Sequence, residues 1–136
     1  MSKIIAIDYG MKRCGIAATD DLQIIASSLP TVETKNIFTF LTDYFKKNKV
    51  EIIVLGEPKR MDTTDTHNSQ PVREFRKKLE ELFPEKKIKM VDERFTSKMA
   101  FQKMIDGGLS KKQRQNKSLV DEISATIILQ SYLQSL

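Results

Sequence analysis

The chain has one cysteine, Cys14, and one histidine, His67, among its 136 residues. A single thiol rules out an internal disulfide and, from this chain alone, a thiolate zinc cage; Cys14 reads as a small apolar packing residue. His67 falls in the polar stretch "DTTDTHNSQ" and reads as a loop residue. That sets aside Ser-His-Asp, Cys-His and multi-histidine metal chemistry. Long apolar runs are also lacking: none approaches the roughly 20 residues that a membrane-spanning helix needs. The apolar part of "MSKIIAIDYG" is too short and too soon charged for a secretory signal, so a cytoplasmic location is expected.

What is present describes an ordinary folded domain. Hydrophobic residues make up 40% and charged residues 30%, and one domain over residues 1–136 is long enough to bury a core. The net charge of +5 favours a polyanion such as nucleic acid without demanding one.

"KIIAI", Lys3 to Ile7, is a short continuous apolar run and predicts a strand buried on both faces. "CGIAAT" and "LQIIASS" follow at hairpin distance, joined by Asp20 and Asp21, which gives three antiparallel strands. Thr34 is a candidate N-cap for a helix with Ile37, Phe38, Leu41, Tyr44 and Phe45 on one face. "EIIVLG" predicts another buried strand, parallel to the first. A polar loop from Glu57 to Gln70 leads to a helix opened by Pro71, with Val72, Phe75, Leu79 and Leu82 or Phe83 facing the core. "KIKMVDE" predicts the fifth strand. Thr96 is a candidate cap for a helix expected through Met104 and ended by Gly107 and Gly108, "LSKKQRQNK" is expected to be a polar, cationic, mobile stretch, and Ser118 is expected to start the last helix. The expected fold is an α/β three-layer sandwich around a five-stranded mixed sheet with helices on both faces.

In such sheets the C-terminal ends of parallel strands open into a crevice. Asp8 ends the first strand, Gly56 and Glu57 the fourth, and Asp92 and Glu93 the fifth, so three segments deliver carboxylates to one rim. Asp121 lies on the last helix, with the small Ser124 and Ala125 one turn on, which allows that helix to approach the sheet and bring Asp121 beside Asp8. Each acid also has a plain structural reading. Asp121 completes a capping-box-like pattern with Ser118, Asp8 serves a turn ahead of Gly10, Glu93 pairs with Arg94, and Glu57 is a solvated charge. Clustered carboxylates repel and raise one another's pKa, and a hard divalent cation, Mg²⁺ or Mn²⁺, relieves that cost. Two such ions about 3.5–4 Å apart activate water and stabilise the leaving oxygen in phosphodiester hydrolysis.

"IDYGMKRCGIA", "VLGEPKRMD", "DERFTS" and "VDEISATIILQSYL" together resemble the YqgF family, also called RuvX, of Holliday-junction-resolvase-like proteins with an RNase H-like fold. The four motifs occur in order over essentially the whole chain. The resemblance implies a divalent-metal-dependent nuclease acting at the 5′ end of pre-16S rRNA in ribosome biogenesis. Asp8, Glu93 and Asp121 match the family's catalytic and metal-holding acids. The sequence departs from the family pattern at Glu57, where many members are apolar and related resolvases carry an acid, so Glu57 is the alternative second acid. Thr63 stands where glycine is common, and Cys14 where an aliphatic residue is commoner.

Lys12, Arg13, Lys59, Arg60 and Arg94 lie near the expected rim, where cations hold phosphates, and Lys111, Lys112, Arg114 and Lys117 add a second patch. Tyr9 and Phe95 flank the acids, although core packing explains Phe95 equally well. Other readings stay open: a branched-DNA (Holliday junction) resolvase, or a non-catalytic nucleic-acid-binding, transcription-associated factor. A third takes "DYGMKRCG" as the phosphate loop of an actin-like ATPase, against which the length of the chain argues. A junction resolvase needs paired sites, so monomer and homodimer remain alternatives.

Overall fold

In the computed structural model the described residues are 2–57, 69–92 and 117–136. Among them five strands form one sheet: β1 (Lys3–Asp8), β2 (Arg13–Thr19), β3 (Ala26–Glu33), β4 (Val50–Glu57) and β5 (Lys87–Asp92), in the order β3-β2-β1-β4-β5. The first three pair antiparallel, whereas β1 with β4 and β4 with β5 are parallel. Helices α1 (Ile37–Lys47), α2 (Ser69–Leu82) and α3 (Lys117–Gln134) complete the described elements.

Strand alternation sends the side chains of β1 into two separate cores. Ile5 and Ile7 join Cys14, Ile16, Ile53 and Leu55 against Ile37 and Leu41 of α1 and Phe75 and Leu79 of α2. Ile4 and Ala6 join Ala17 and Val54 against Ala125, Ile128 and Leu129 of α3. Both faces of β1 are therefore buried, as its continuous apolar run predicts. The result is three layers, with α1 and α2 on one side of the sheet and α3 on the other. Of the two candidates closing the α2 face, Phe83 is buried and Leu82 is exposed. Tyr9 stacks on Phe75 with ring centroids 4.5 Å apart, on the side of the sheet away from α3.

Four boundaries differ from the sequence reading. The third strand starts within "LQIIASS" at Ala26 rather than at Leu22, and Leu22, Ile24 and Ile25 are exposed in the preceding turn. The cause is local: Asp20 Oδ1 accepts the N–H groups of Ile24 and Ile25, and Gln23 takes a left-handed conformation at φ 60° while its amide bonds Ser2 and Glu51. The strand then runs through Pro30, which an edge strand accommodates at a bulge: Cys14 pairs with Val32 but Ile16 with Leu29, so Pro30 and Thr31 oppose Gly15 alone. Thr34 caps no helix; it begins a 3₁₀ turn (Thr34–Asn36) ahead of α1. α2 starts at Ser69, two residues before Pro71, and α3 at Lys117, one before Ser118. The helix expected between Thr96 and Met104 and the stretch "LSKKQRQNK" lie outside the described residues, except for its last residue, Lys117.

Thr19 holds the start of strand β1 through its side chain. Its buried hydroxyl oxygen accepts the N–H of Ile4 at 2.8 Å, beside the register shift between Lys3 and Ile4. Thr19→Val keeps the shape and removes the acceptor, so a stability loss of about 1–3 kcal/mol is expected in urea unfolding, the cost of a buried unsatisfied amide.

Candidate active site

The parallel strands β1, β4 and β5 end together. Ile7 pairs with Leu55 and Glu57 with Asp92, so the backbones of Asp8, Glu57 and Asp92 reach one rim. Asp8 follows the phase of Ile4 and Ala6 and therefore faces α3.

Gly15 brings α3 to the same point. It is the register partner of Asp8 across the β1–β2 ladder. On its α3 face, a β-carbon added to Gly15 would stand 2.1 Å from the main-chain oxygen of Asp121 and 3.1 Å from its Cβ. Only a residue without a side chain permits this contact between strand and helix. Asp8 and Asp121, 113 positions apart in sequence, thus flank one glycine. Both carboxylates also push the Cys14 thiol in the same direction. Burial is the largest influence raising that thiol above its ordinary value of 9.0, and the charges of Asp8 and Asp121 add to it, against hydrogen bonds it shares with Thr34 and Gly10.

Asp121 is the fifth residue of α3. Its Oδ2 accepts a hydrogen bond from Nε of Arg13 at 2.8 Å, and the two side chains are 31% (Arg13) and 26% (Asp121) exposed. The next residue, Glu122, accepts the N–H of Thr31 at 3.3 Å, so the bulge opposite Gly15 is tied to the start of α3. The turn between β1 and β2 is fixed from the other side. The Thr34 hydroxyl donates to the Gly10 carbonyl at 2.6 Å, and the Thr34 N–H to the Lys12 carbonyl at 3.0 Å. Gly10, Met11, Lys12, Arg13 and Asp121 line an open depression of about 370 Å³.

The structure thus brings together Asp8, Asp121, Arg13 and Lys12 of the expected site residues. The backbone of Glu57 stands at the rim, and Glu93, Lys59, Arg60 and Arg94 lie outside the described residues, as does Phe95. Val91, two residues before Glu93, packs into the α3 cluster. Among the described residues no three of histidine, cysteine, aspartate and glutamate gather at one point. Sequence reasoning missed Gly15 and Thr34. A glycine inside the strand pattern "RCGIAAT" is a signal of close backbone approach, whereas the hydroxyl bond of Thr34 across to Gly10 leaves no local trace.

Residues 2–135 match the family model described as RuvX, Holliday junction resolvase. The chain belongs to the RuvX family. It is 58% identical over 133 residues to a protein of Christiangramia forsetii, covering 98% of each chain, and 56% identical over 135 residues to one of Flavobacterium johnsoniae, covering 99% and 98%. Each of these RuvX relatives is named "Putative pre-16S rRNA nuclease". Two solved structures share the fold at low identity. The T. thermophilus RuvC in complex with a Holliday junction substrate superposes with a TM-score of 0.58 at 15% identity, covering 99% of this chain and 96% of that one. The Fowlpox virus resolvase bound to Holliday junction DNA gives 0.56 at 13%, covering 98% and 97%. The five-stranded mixed sheet is thus the RNase H-like sandwich expected from the motifs.

The contact at Gly15 yields a direct expectation. In Gly15→Ala the added methyl meets main-chain oxygen, which cannot swing aside as a side-chain tip can. Unfolding in urea should show a loss of about 1–3 kcal/mol, the usual cost of overpacking. Backbone amide shifts should change along the first turns of α3 and not in α1.

Proposed function

We propose that this chain is a divalent-cation-dependent nuclease that hydrolyses a phosphodiester bond in structured RNA, at the 5′ end of pre-16S rRNA. The observation that carries this reading is the convergence of Asp8 and Asp121 on Gly15 at the open end of the parallel strands. The naming of the relatives as pre-16S rRNA nucleases supplies the substrate class.

The donor set fits a hard cation. Two aspartates offer only oxygen, from elements whose backbones are fixed against one another, and among the described residues no histidine joins them. Asp8 and Asp121 would hold Mg²⁺ or Mn²⁺ with Glu93 as third acid, and Glu57 is the alternative to Glu93. When bound, such a cation activates water as the nucleophile and offsets the charge that develops on the phosphate. The remaining work belongs to the chain. Lys12, exposed on the rim of the depression, and Arg13 draw the phosphate backbone to the two acids. Lys59, Arg60 and Arg94 extend the same cationic surface in this proposal. The interaction is electrostatic and carries no base code, so the fold of the RNA must supply the specificity.

A second reading is favoured by the description of the matched family as a Holliday junction resolvase. It keeps the chemistry and exchanges the substrate for branched DNA. Purified protein incubated with precursor rRNA and with a four-way DNA junction, each with Mg²⁺ or Mn²⁺, distinguishes the two. The rRNA precursor is expected to be cut and the junction left whole.

Asp8→Asn and Asp121→Asn should each lower cleavage by at least about a hundredfold, the upper end of what losing even an outer partner of a metal ligand costs. Thermal unfolding should change little, because both carboxylates are only partly buried. Undiminished cleavage by both folded variants rules out the two-aspartate site. Glu93→Gln and Glu57→Gln assayed in parallel identify the third acid, with the loss expected in Glu93→Gln.

A further inference from the structure

Arg13 and Asp121 are paired by the fold and not merely by proximity of two flexible side chains. Arg13 opens β2 opposite Glu33, and its carbonyl oxygen would be 2.5 Å from a β-carbon on Gly10, so the turn closes tightly on it. The main chain of Asp121 rests on Gly15. With both backbones held, the 2.8 Å bond from Nε to Oδ2 can be exchanged only by rotation of the two side chains. Such rotation has somewhere to go, because both residues line the open depression that Lys12 also borders. A pair that is about a quarter to a third exposed is weak enough for a better partner to displace.

We propose that Arg13 is a built-in counter-cation that occupies Asp121 Oδ2 until a divalent cation takes that oxygen, and that then turns to the phosphate of the nucleic acid. This inference rests on the cation site proposed above and concerns how that site is kept before it is loaded. Asp8 and Asp121 converge on one glycine, and two such carboxylates need positive charge between them. The guanidinium of Arg13 supplies it from two residues before that glycine. A doubly charged ion beside Asp121 repels the guanidinium and competes for the same lone pairs, so the two do not share Oδ2 without cost. Once displaced, Arg13 keeps its charge and its planar set of donors, which suit a phosphate. Cation binding and phosphate binding then reinforce each other, and by linkage the reinforcement is equal in both directions.

The test uses the full chain and Mg²⁺ as the probe. In ¹⁵N spectra of the arginine Nε–H groups, the Arg13 signal of the cation-free protein should be shifted by its bond to Asp121. It should move to the free position as Mg²⁺ saturates. Inorganic phosphate should perturb it only after Mg²⁺ is present. In calorimetry, Arg13→Gln should bind Mg²⁺ about tenfold more tightly than wild type, within the usual range for coupled sites, and Arg13→Lys should stay close to wild type. An Arg13 signal unmoved at saturating Mg²⁺, or weaker Mg²⁺ binding by a folded Arg13→Gln, overturns the proposal, since Arg13 would then be orienting the carboxylate. Asp8→Asn separates this failure from a deeper one. If wild type binds no Mg²⁺, or binds it equally with Asp8→Asn, the cation site itself is wrong and the exchange falls with it.

Discussion

The approach of α3 to β2 at Gly15 is the constraint on which the arrangement of the site depends. A helix and a strand come close enough there for the main chain of one to occupy the space of a side chain on the other. The approach is continued by small residues on both partners: Ala6 and Ala17 on the sheet, Ser124 and Ala125 on the helix, all buried. The opposite face of the sheet is built differently, from Phe75, Phe83, Ile37, Leu41 and the stacked Tyr9. Large side chains hold α1 and α2 off the sheet, and small ones let α3 down onto it. The two faces therefore differ in reach near Gly15, and among the described residues it is on the α3 side that a helix-borne aspartate approaches one at the end of a strand.

Close approach also settles the electrostatics. Asp8 is the register partner of Gly15, Asp121 rests on it, and Arg13 precedes it by two residues on the same face of β2. The main-chain origins of three charged side chains are thereby set by backbone geometry, leaving only their rotamers to choose. The bulge opposite Gly15 adds to this, because the Thr31 N–H it displaces bonds Glu122, the residue after Asp121. An irregularity in the edge strand is in this way used to fix the register of the helix against the sheet.

How far the sequence showed this depended on whether the information was local. The strands β1 and β4 were legible as continuous apolar runs, and α1 and α2 as helical stripes, because their burial follows from their own composition. The third strand was misread where two side chains rewired the backbone: Asp20 captures two amides and Gln23 turns left-handed, so the apolar Leu22, Ile24 and Ile25 end outside the sheet. Asp121 was ambiguous for a similar reason. Its spacing from Ser118 suggested a cap, whereas its ion-pair partner lies 108 positions away, beyond any local pattern. The meeting of Asp8 and Asp121 was accessible as a hypothesis, through small neighbours on the helix and acids at strand ends. Its seat on Gly15 needs the register of two strands, which no local pattern contains.

Stability alone gives little reason for this seat. Glycine inside a strand costs about 0.5–1 kcal/mol relative to alanine. The ion pair it permits is partly exposed, and such pairs return about 0–1 kcal/mol. The two terms roughly cancel. A chain shaped only for stability would separate Asp8 from Asp121 with a side chain at position 15 and a helix standing slightly farther off. What the contact does accomplish is to bring the backbones that carry a strand aspartate and a helix aspartate together beside an open depression, where Arg13 pairs with Asp121. Packing energy alone therefore does not account for the glycine, whose effect is to set a strand aspartate and a helix aspartate on either side of one backbone contact.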